Sequence, residues 1–193
     1  MKLGELSNII CRITWRVAFL IYFLVVLIRH LSDPMYGSLL DPLNLGIHEA
    51  GHLLFSFAGR FLSVAGGTIF QILAPLYGMY NFSLRKEPFS LALCFGWLST
   101  SLFDIATYAA DARSMVLPLV TPFGFGGDIT HDWNYLLRTL GILNYDWLVA
   151  KFFRFGALIS MLVCFFRGGV IVRRIAVGAE VEEGQLFTKS SVD

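Results

Sequence analysis

Five long apolar segments govern what this chain can fold into. They cover residues 13–31, about 43–59, about 67–84, about 89–110 and about 147–172, and short polar breaks such as "RHLSDP" and "NFSLRKEP" separate them. A helix crossing a bilayer needs about 20 mostly apolar residues. Its backbone must satisfy its own hydrogen bonds there, because no water is present to do so. The pattern therefore predicts an all-α, multi-pass transmembrane helical bundle of about 5–6 spans. Composition agrees: 56% of residues are hydrophobic and only 15% are charged, against about 25% charged in a soluble domain.

The expected boundaries follow from local signals. Residues 1–178 form a single transmembrane domain and residues 179–193 a polar C-terminal tail. The first segment is longer than the apolar core of a signal peptide and lacks a small-residue cleavage site, so it reads as a retained span. Asp33-Pro34 ends it. The stretch "RFLSVAGG", with its β-branched and glycine residues, suits a short strand or loop. Residues 114–127 carry Pro118, Pro122 and three glycines; this stretch is too short to cross and is expected to re-enter the membrane. "HDWNYLLRTLGI" then reads as a short amphipathic helix.

Charge and cysteine usage exclude several classes. A net charge of +1 gives no basic footprint for nucleic acid. Cys11, Cys94 and Cys164 lie far apart within apolar segments, so neither a disulfide framework nor a cysteine zinc site is indicated. Lys2, Arg12 and Arg16 favour a cytoplasmic N-terminus, although Arg85-Lys86 runs against that orientation.

Within the second apolar segment stands "HEAGH", His48 to His52. Ionisable groups at membrane depth are costly and usually functional. The spelling fits the HExxH zinc pattern. On a helix, residues four apart share one face, so His48 and His52 can bind one Zn²⁺ from a single rigid element. Glu49, beside that face, is placed to act as general base toward a water at the metal's open position. Two buried histidines bonded to backbone or to each other are the alternative, but three polar groups inside an apolar span call for a strong partner such as a metal.

A catalytic zinc needs a third protein ligand. The candidates are Asp104 and Asp111 on the fourth segment, and Asp128, His131 and Asp132 in "GGDITHDW". His30, next to Arg29 at the end of the first segment, reads as interfacial. Straight helices leave Asp111 and His52 at different depths, whereas a re-entering 114–127 returns His131 to the side where HEAGH begins. Asp132 could orient His131 as a neighbouring carboxylate or cap a helix. Gln71 could bind substrate backbone or make an interhelical hydrogen bond.

HEAGH, then "FAGRFLSVAGG", then a span opening "GGTIFQILAPL" resembles the site-2-protease class of intramembrane zinc metalloproteases. The resemblance covers residues 44–111. It implies a zinc ligand from a later span, for which "SLFDIATYAADAR" offers Asp111 in the ligand place and Asp104 in that of a family asparagine. The prolines of that family motif are missing, the spacing is one residue short, and its Leu-Asp-Gly has become Ala-Asp-Ala. "HDWNYLL", with HEAGH and ADAR, is also similar to a group of bacterial membrane proteins, which implies the cytoplasmic (inner) membrane and no mechanism. The third ligand stays open, with Asp111 carried by the resemblance and His131 as its alternative.

The expected function is zinc-dependent intramembrane peptide hydrolysis, with one Zn²⁺ and a transmembrane or membrane-proximal peptide as substrate. Alternatives are a membrane zinc hydrolase of a non-peptide amide or lipid-linked substrate, and a non-catalytic protein with a structural zinc. A metal transporter fits least, since the first and last spans carry almost no polar residues. No oligomeric state follows from the sequence.

Overall fold

The computed structural model describes residues 3–117 and 131–178. Helix α1 runs Leu3–Ser32, α2 Asp41–Leu54, α3 Arg60–Leu84, α4 Pro88–Ala110, α5 Asp132–Thr139 and α6 Asp146–Ala176, with short 3₁₀ turns at Ser56–Ala58 and Leu143–Tyr145. Among the described residues there is no strand, and the protein is an all-α bundle. The helices within Ser7–Ser32, Arg60–Leu84, Pro88–Ala110 and Leu143–Ala176 are long and apolar enough to cross a membrane. Outward-facing side chains such as Phe19, Ile21, Leu162 and Phe166 are apolar, as contact with lipid requires.

Helix α2 is different. It has 14 residues, about 21 Å at 1.5 Å per residue, and so falls short of a hydrocarbon core of about 30 Å. Asp41 fixes its start: Oδ1 accepts from the Ser38 backbone N–H at 2.8 Å and the Ser38 hydroxyl at 2.7 Å. Pro42 occupies the first turn, where its missing N–H costs nothing. One helical turn before His48, Asn44 ties α2 to α4. Its Nδ2 donates to Asp104 Oδ2 at 2.6 Å, and its Oδ1 accepts from Trp97 Nε1 at 2.9 Å and Ser101 Oγ at 3.1 Å.

The expected strand or loop at "RFLSVAGG" is instead the opening of α3. Tertiary packing overrides the weak local helix propensity of this stretch, because α2 and α3 lie backbone against backbone. A Cβ on Gly66 would sit 2.7 Å from the Gly51 carbonyl oxygen, and one on Gly51 would meet the Gly66 carbonyl. Only two glycines allow that approach. Farther along α3, Pro75 cannot donate to the carbonyl one turn earlier, which is that of Gln71.

Helix α4 packs most extensively on α6 and also contacts α3. Helix α5 docks through Trp133 and Leu137 onto Ile105, Ala109 and Ala112, and Asn134 Nδ2 donates to the Ala112 carbonyl at 2.7 Å. The turn after α4 is tied to α6 by Arg113 Nε donating to Asp146 Oδ2 at 2.7 Å. These contacts place the start of α5 against the face of α2 that carries HEAGH. Residues 118–127 of the expected re-entrant segment, Asp128 and the tail 179–193 lie outside the described residues.

Candidate metal centre

His48 and His52 project from one face of α2, with ring centroids 4.7 Å apart and planes nearly perpendicular. The Nε2 atoms of both converge on the same carboxylate oxygen, Asp132 Oδ2, at 2.9 Å for His48 and 3.2 Å for His52. One ligand atom from each of these three residues lies within 4.8 Å of the others. The group could hold a metal ion.

The opposite ring nitrogens show how the two rings are oriented. His52 Nδ1 lies 2.9 Å from the Ser63 carbonyl oxygen. A carbonyl only accepts, so Nδ1 carries a proton and Nε2 faces Asp132. Burial disfavours the charged ring, but the hydrogen bond and charge of Asp132 outweigh it and raise His52 to about 9. Without a metal, Nε2 therefore also holds a proton and donates it to Asp132; a bound metal would take that proton's place. His48 Nδ1 lies 3.1 Å from Gln71 Oε1, an arrangement that orients its Nε2 in the same way. Lone pairs aimed at a carboxylate oxygen repel unless a cation or added protons stand between them. Metal-bound histidines characteristically donate their other N–H to such acceptors, which fixes tautomer and ring orientation.

The spacing also suits zinc. Corners of a tetrahedron with bonds of about 2.0–2.1 Å are roughly 3.3 Å apart, so a slight outward shift of the three groups would admit the ion. Gly67 makes room for the arrangement. A Cβ there would stand 2.5 Å from His48 Nε2 and 2.7 Å from its neighbouring ring carbons, so the imidazole rests on bare backbone.

The third member of the group differs from the expected Asp111 and its alternative His131. Asp111 ends α4 and spends both oxygens on its own turn: Oδ1 accepts from Ser114 Oγ at 2.7 Å and the Val116 N–H at 3.0 Å, and Oδ2 from the Leu117 N–H at 3.0 Å. Burial opposes ionisation of Asp111, but these donors outweigh it and hold the carboxyl below its ordinary range. His131 is equally committed. Its Nδ1 accepts the Asn134 N–H at 3.3 Å, capping α5, and its Nε2 lies 3.3 Å from Asp111 Oδ2. Accepting at Nδ1 makes Nε2 the donor, so both nitrogens are used away from the histidine pair.

Glu49 is half-buried beside the group and makes no hydrogen bond to another described residue. Its charge acts on both His52 and Tyr108. Asp104 lies away from the three ligand atoms, bonded to Asn44, and lines a cavity of about 460 Å³ together with Tyr36, Leu45, His48, Gln71 and Tyr108. The cavity therefore reaches the metal-binding group at His48. His30, expected at an interface, is instead buried and stacked on Phe103 at 4.5 Å. Sequence reasoning passed over Asn44, Ser63, Gly67 and Tyr108. Only Asn44 carried a readable signal, being a polar residue one turn before His48 on the same helical face.

No family model matches the sequence, and neither a curated protein nor a solved structure is significantly similar to it.

Proposed function

We propose that this membrane protein is a zinc-dependent endopeptidase that hydrolyses a peptide bond in or near the bilayer, with His48, His52 and Asp132 as the zinc ligands. One observation carries the reading: two Nε2 atoms, oriented by acceptors at both Nδ1 positions, converge on a single carboxylate oxygen. Two histidines and one carboxylate leave a fourth position open, as catalytic zinc sites do. Zinc bound there would polarise the substrate carbonyl and lower the pKa of a coordinated water.

The chain's own residues supply the rest. Glu49 follows the first ligand directly and has its carboxylate uncommitted among the described residues. It takes a proton from the attacking water and delivers it to the leaving amine. The cavity beside His48 receives the unwound substrate segment. A peptide is favoured over a lipid-linked amide because the site lies within a bundle whose outward surface is apolar, where transmembrane helices are the abundant amides. The N-terminal charges Lys2, Arg12 and Arg16 support a cytoplasmic N-terminus, and the similarity of HEAGH, ADAR and HDWNYLL to a bacterial membrane-protein group supports the inner membrane.

The test is metal content followed by turnover. Full-length protein purified in detergent should carry one zinc per chain by elemental mass spectrometry. Glu49→Gln should keep that zinc and lose cleavage of transmembrane peptides that the parent cuts. A well-folded parent that takes up no zinc would sink the reading; cleavage that survives Glu49→Gln would remove Glu49 from the role of base.

A further inference from the structure

Tyr108, in the last turn of α4, lines the cavity next to the metal-binding group. Its ring packs on that of His131 with centroids 4.3 Å apart and meets the His48 ring edge-on at 6.2 Å. Its hydroxyl oxygen accepts the backbone N–H of Asp132 at 3.2 Å. That bond uses a lone pair and leaves the hydroxyl proton free, and among the described residues no acceptor takes it. Asp132 is also the residue whose carboxylate meets both histidines. The hydroxyl is therefore one residue's breadth from the metal position. Tyr108 lines the cavity alongside His48.

We infer that Tyr108 is a second catalytic group, a deduction that rests on the hydrolase reading above. Its hydroxyl donates a hydrogen bond to the scissile carbonyl oxygen as negative charge develops there. The phenol keeps its proton throughout. Water oxygen bonds to the carbonyl carbon, Glu49 accepts one water proton and passes it to the amide nitrogen, and the carbon–nitrogen bond breaks to release an acid and an amine. A donor fixed before the reaction needs no reorganisation when the charge appears, and losing one such donor typically slows turnover by about 10²–10³-fold. The Asp132 N–H holds the phenol in position, and the His131 ring packed at a tilt against it stops it from swinging away.

The test reads binding as well as activity. Full-length protein loaded with Co²⁺ in detergent is titrated with acetohydroxamate, an anionic metal chelator whose oxygen mimics the charged carbonyl, and the cobalt absorption bands are followed. Tyr108→Phe should retain one Co²⁺ per chain and bind acetohydroxamate at least about tenfold more weakly. Replacing Tyr108 by a fluorinated tyrosine keeps ring and oxygen but gives a more acidic phenol. Its acetohydroxamate affinity should drop across a pH step that the parent lacks, as the phenol loses its proton. Unchanged affinity in Tyr108→Phe, with no new pH step in the fluorinated protein, overturns the role of Tyr108 while leaving the metal site standing. A parent that takes up no Co²⁺ overturns both.

Discussion

The Nδ1 atom of His52 lies 2.9 Å from the carbonyl oxygen of Ser63, and this contact fixes the direction in which the imidazole can bind. Because a carbonyl cannot donate, the opposite nitrogen is left to face Asp132. The backbone at the start of α3 thus orients a side chain of α2 toward a carboxylate from α5. Two consecutive helices and a third far along the chain meet in one polar group.

Asp132 and Asp111 should separate cleanly. Asp132→Ala removes one of three ligand atoms and should abolish stoichiometric metal binding, whereas Asp111→Ala should leave metal bound. The cost of Asp111→Ala appears instead as a modest loss of stability, about 1 kcal/mol, since the Val116 and Leu117 N–H groups lose their acceptors but Val116 is exposed. Zinc per chain for the two variants, alongside thermal unfolding in detergent, decides the matter. Metal lost from Asp111→Ala but not Asp132→Ala would reverse the assignment.

Gln71→Leu removes the acceptor at His48 Nδ1 without touching the metal position. Loss of such a supporting hydrogen bond typically lowers metal affinity about 10–100-fold. Competition with a zinc chelator of known affinity should show that drop, with full occupancy restored at excess zinc. An affinity equal to the parent's would mean that Gln71 does not orient the ring.

Asn44→Leu should destabilise the bundle. Asn44 is almost wholly buried, and its side chain answers Asp104, Trp97 and Ser101 together. With several partners orphaned at about 1–3 kcal/mol each, a lower unfolding temperature in detergent is expected. Metal affinity should fall as well, because α2 loses its anchor to α4 one turn before His48. A variant as stable as the parent would show that the Asn44 hydrogen bonds do not anchor α2 to α4.

Metal affinity should weaken as pH falls, because protons compete for the imidazoles. Burial lowers the His52 imidazole, but Asp132 outweighs it and raises the group to about 9, so protons already compete with the metal below that value and the loss should grow steadily as the pH falls. Asp132 behaves differently. Burial pushes its carboxyl up, but the hydrogen bonds from His48 and His52 outweigh that and hold it below its ordinary range. A depressed carboxylate stays ionised until the pH falls through that lowered value, so its protonation contributes only at lower pH than that of the imidazoles. Zinc binding measured from pH 8 to pH 5 checks the sign: constant affinity across that range would mean the histidines are not ligands.

Much of this was legible in the chain. The apolar segments at 89–110 and 147–172 became helices within a few residues of their expected ends, whereas the helix carrying 13–31 begins ten residues earlier, at Leu3; hydropathy and length act locally, and polar residues can extend a helix beyond its apolar run. Asp33-Pro34 and Gly59-Arg60 marked real breaks. The "RFLSVAGG" stretch misled because its glycines serve close packing against α2 rather than chain flexibility, and that packing exists only once Gly51 faces Gly66. Asp111 misled for a related reason. A carboxylate at the end of a helix can serve a metal or its own following turn, and only the positions of the Val116 and Leu117 N–H groups show that it serves the turn.

The sequence by itself determined that the chain is a helical membrane protein and that two histidines share one helical face with a glutamate between them, since helix periodicity and hydropathy depend on near neighbours alone. Which residue completes the histidine pair was decided by tertiary structure. Asp132 lies 80 residues beyond His52 in the chain and reaches it only because Trp133 and Leu137 dock α5 against α4. A contact between residues so far apart is set by how apolar faces pack, and spacing along the chain carries no trace of it.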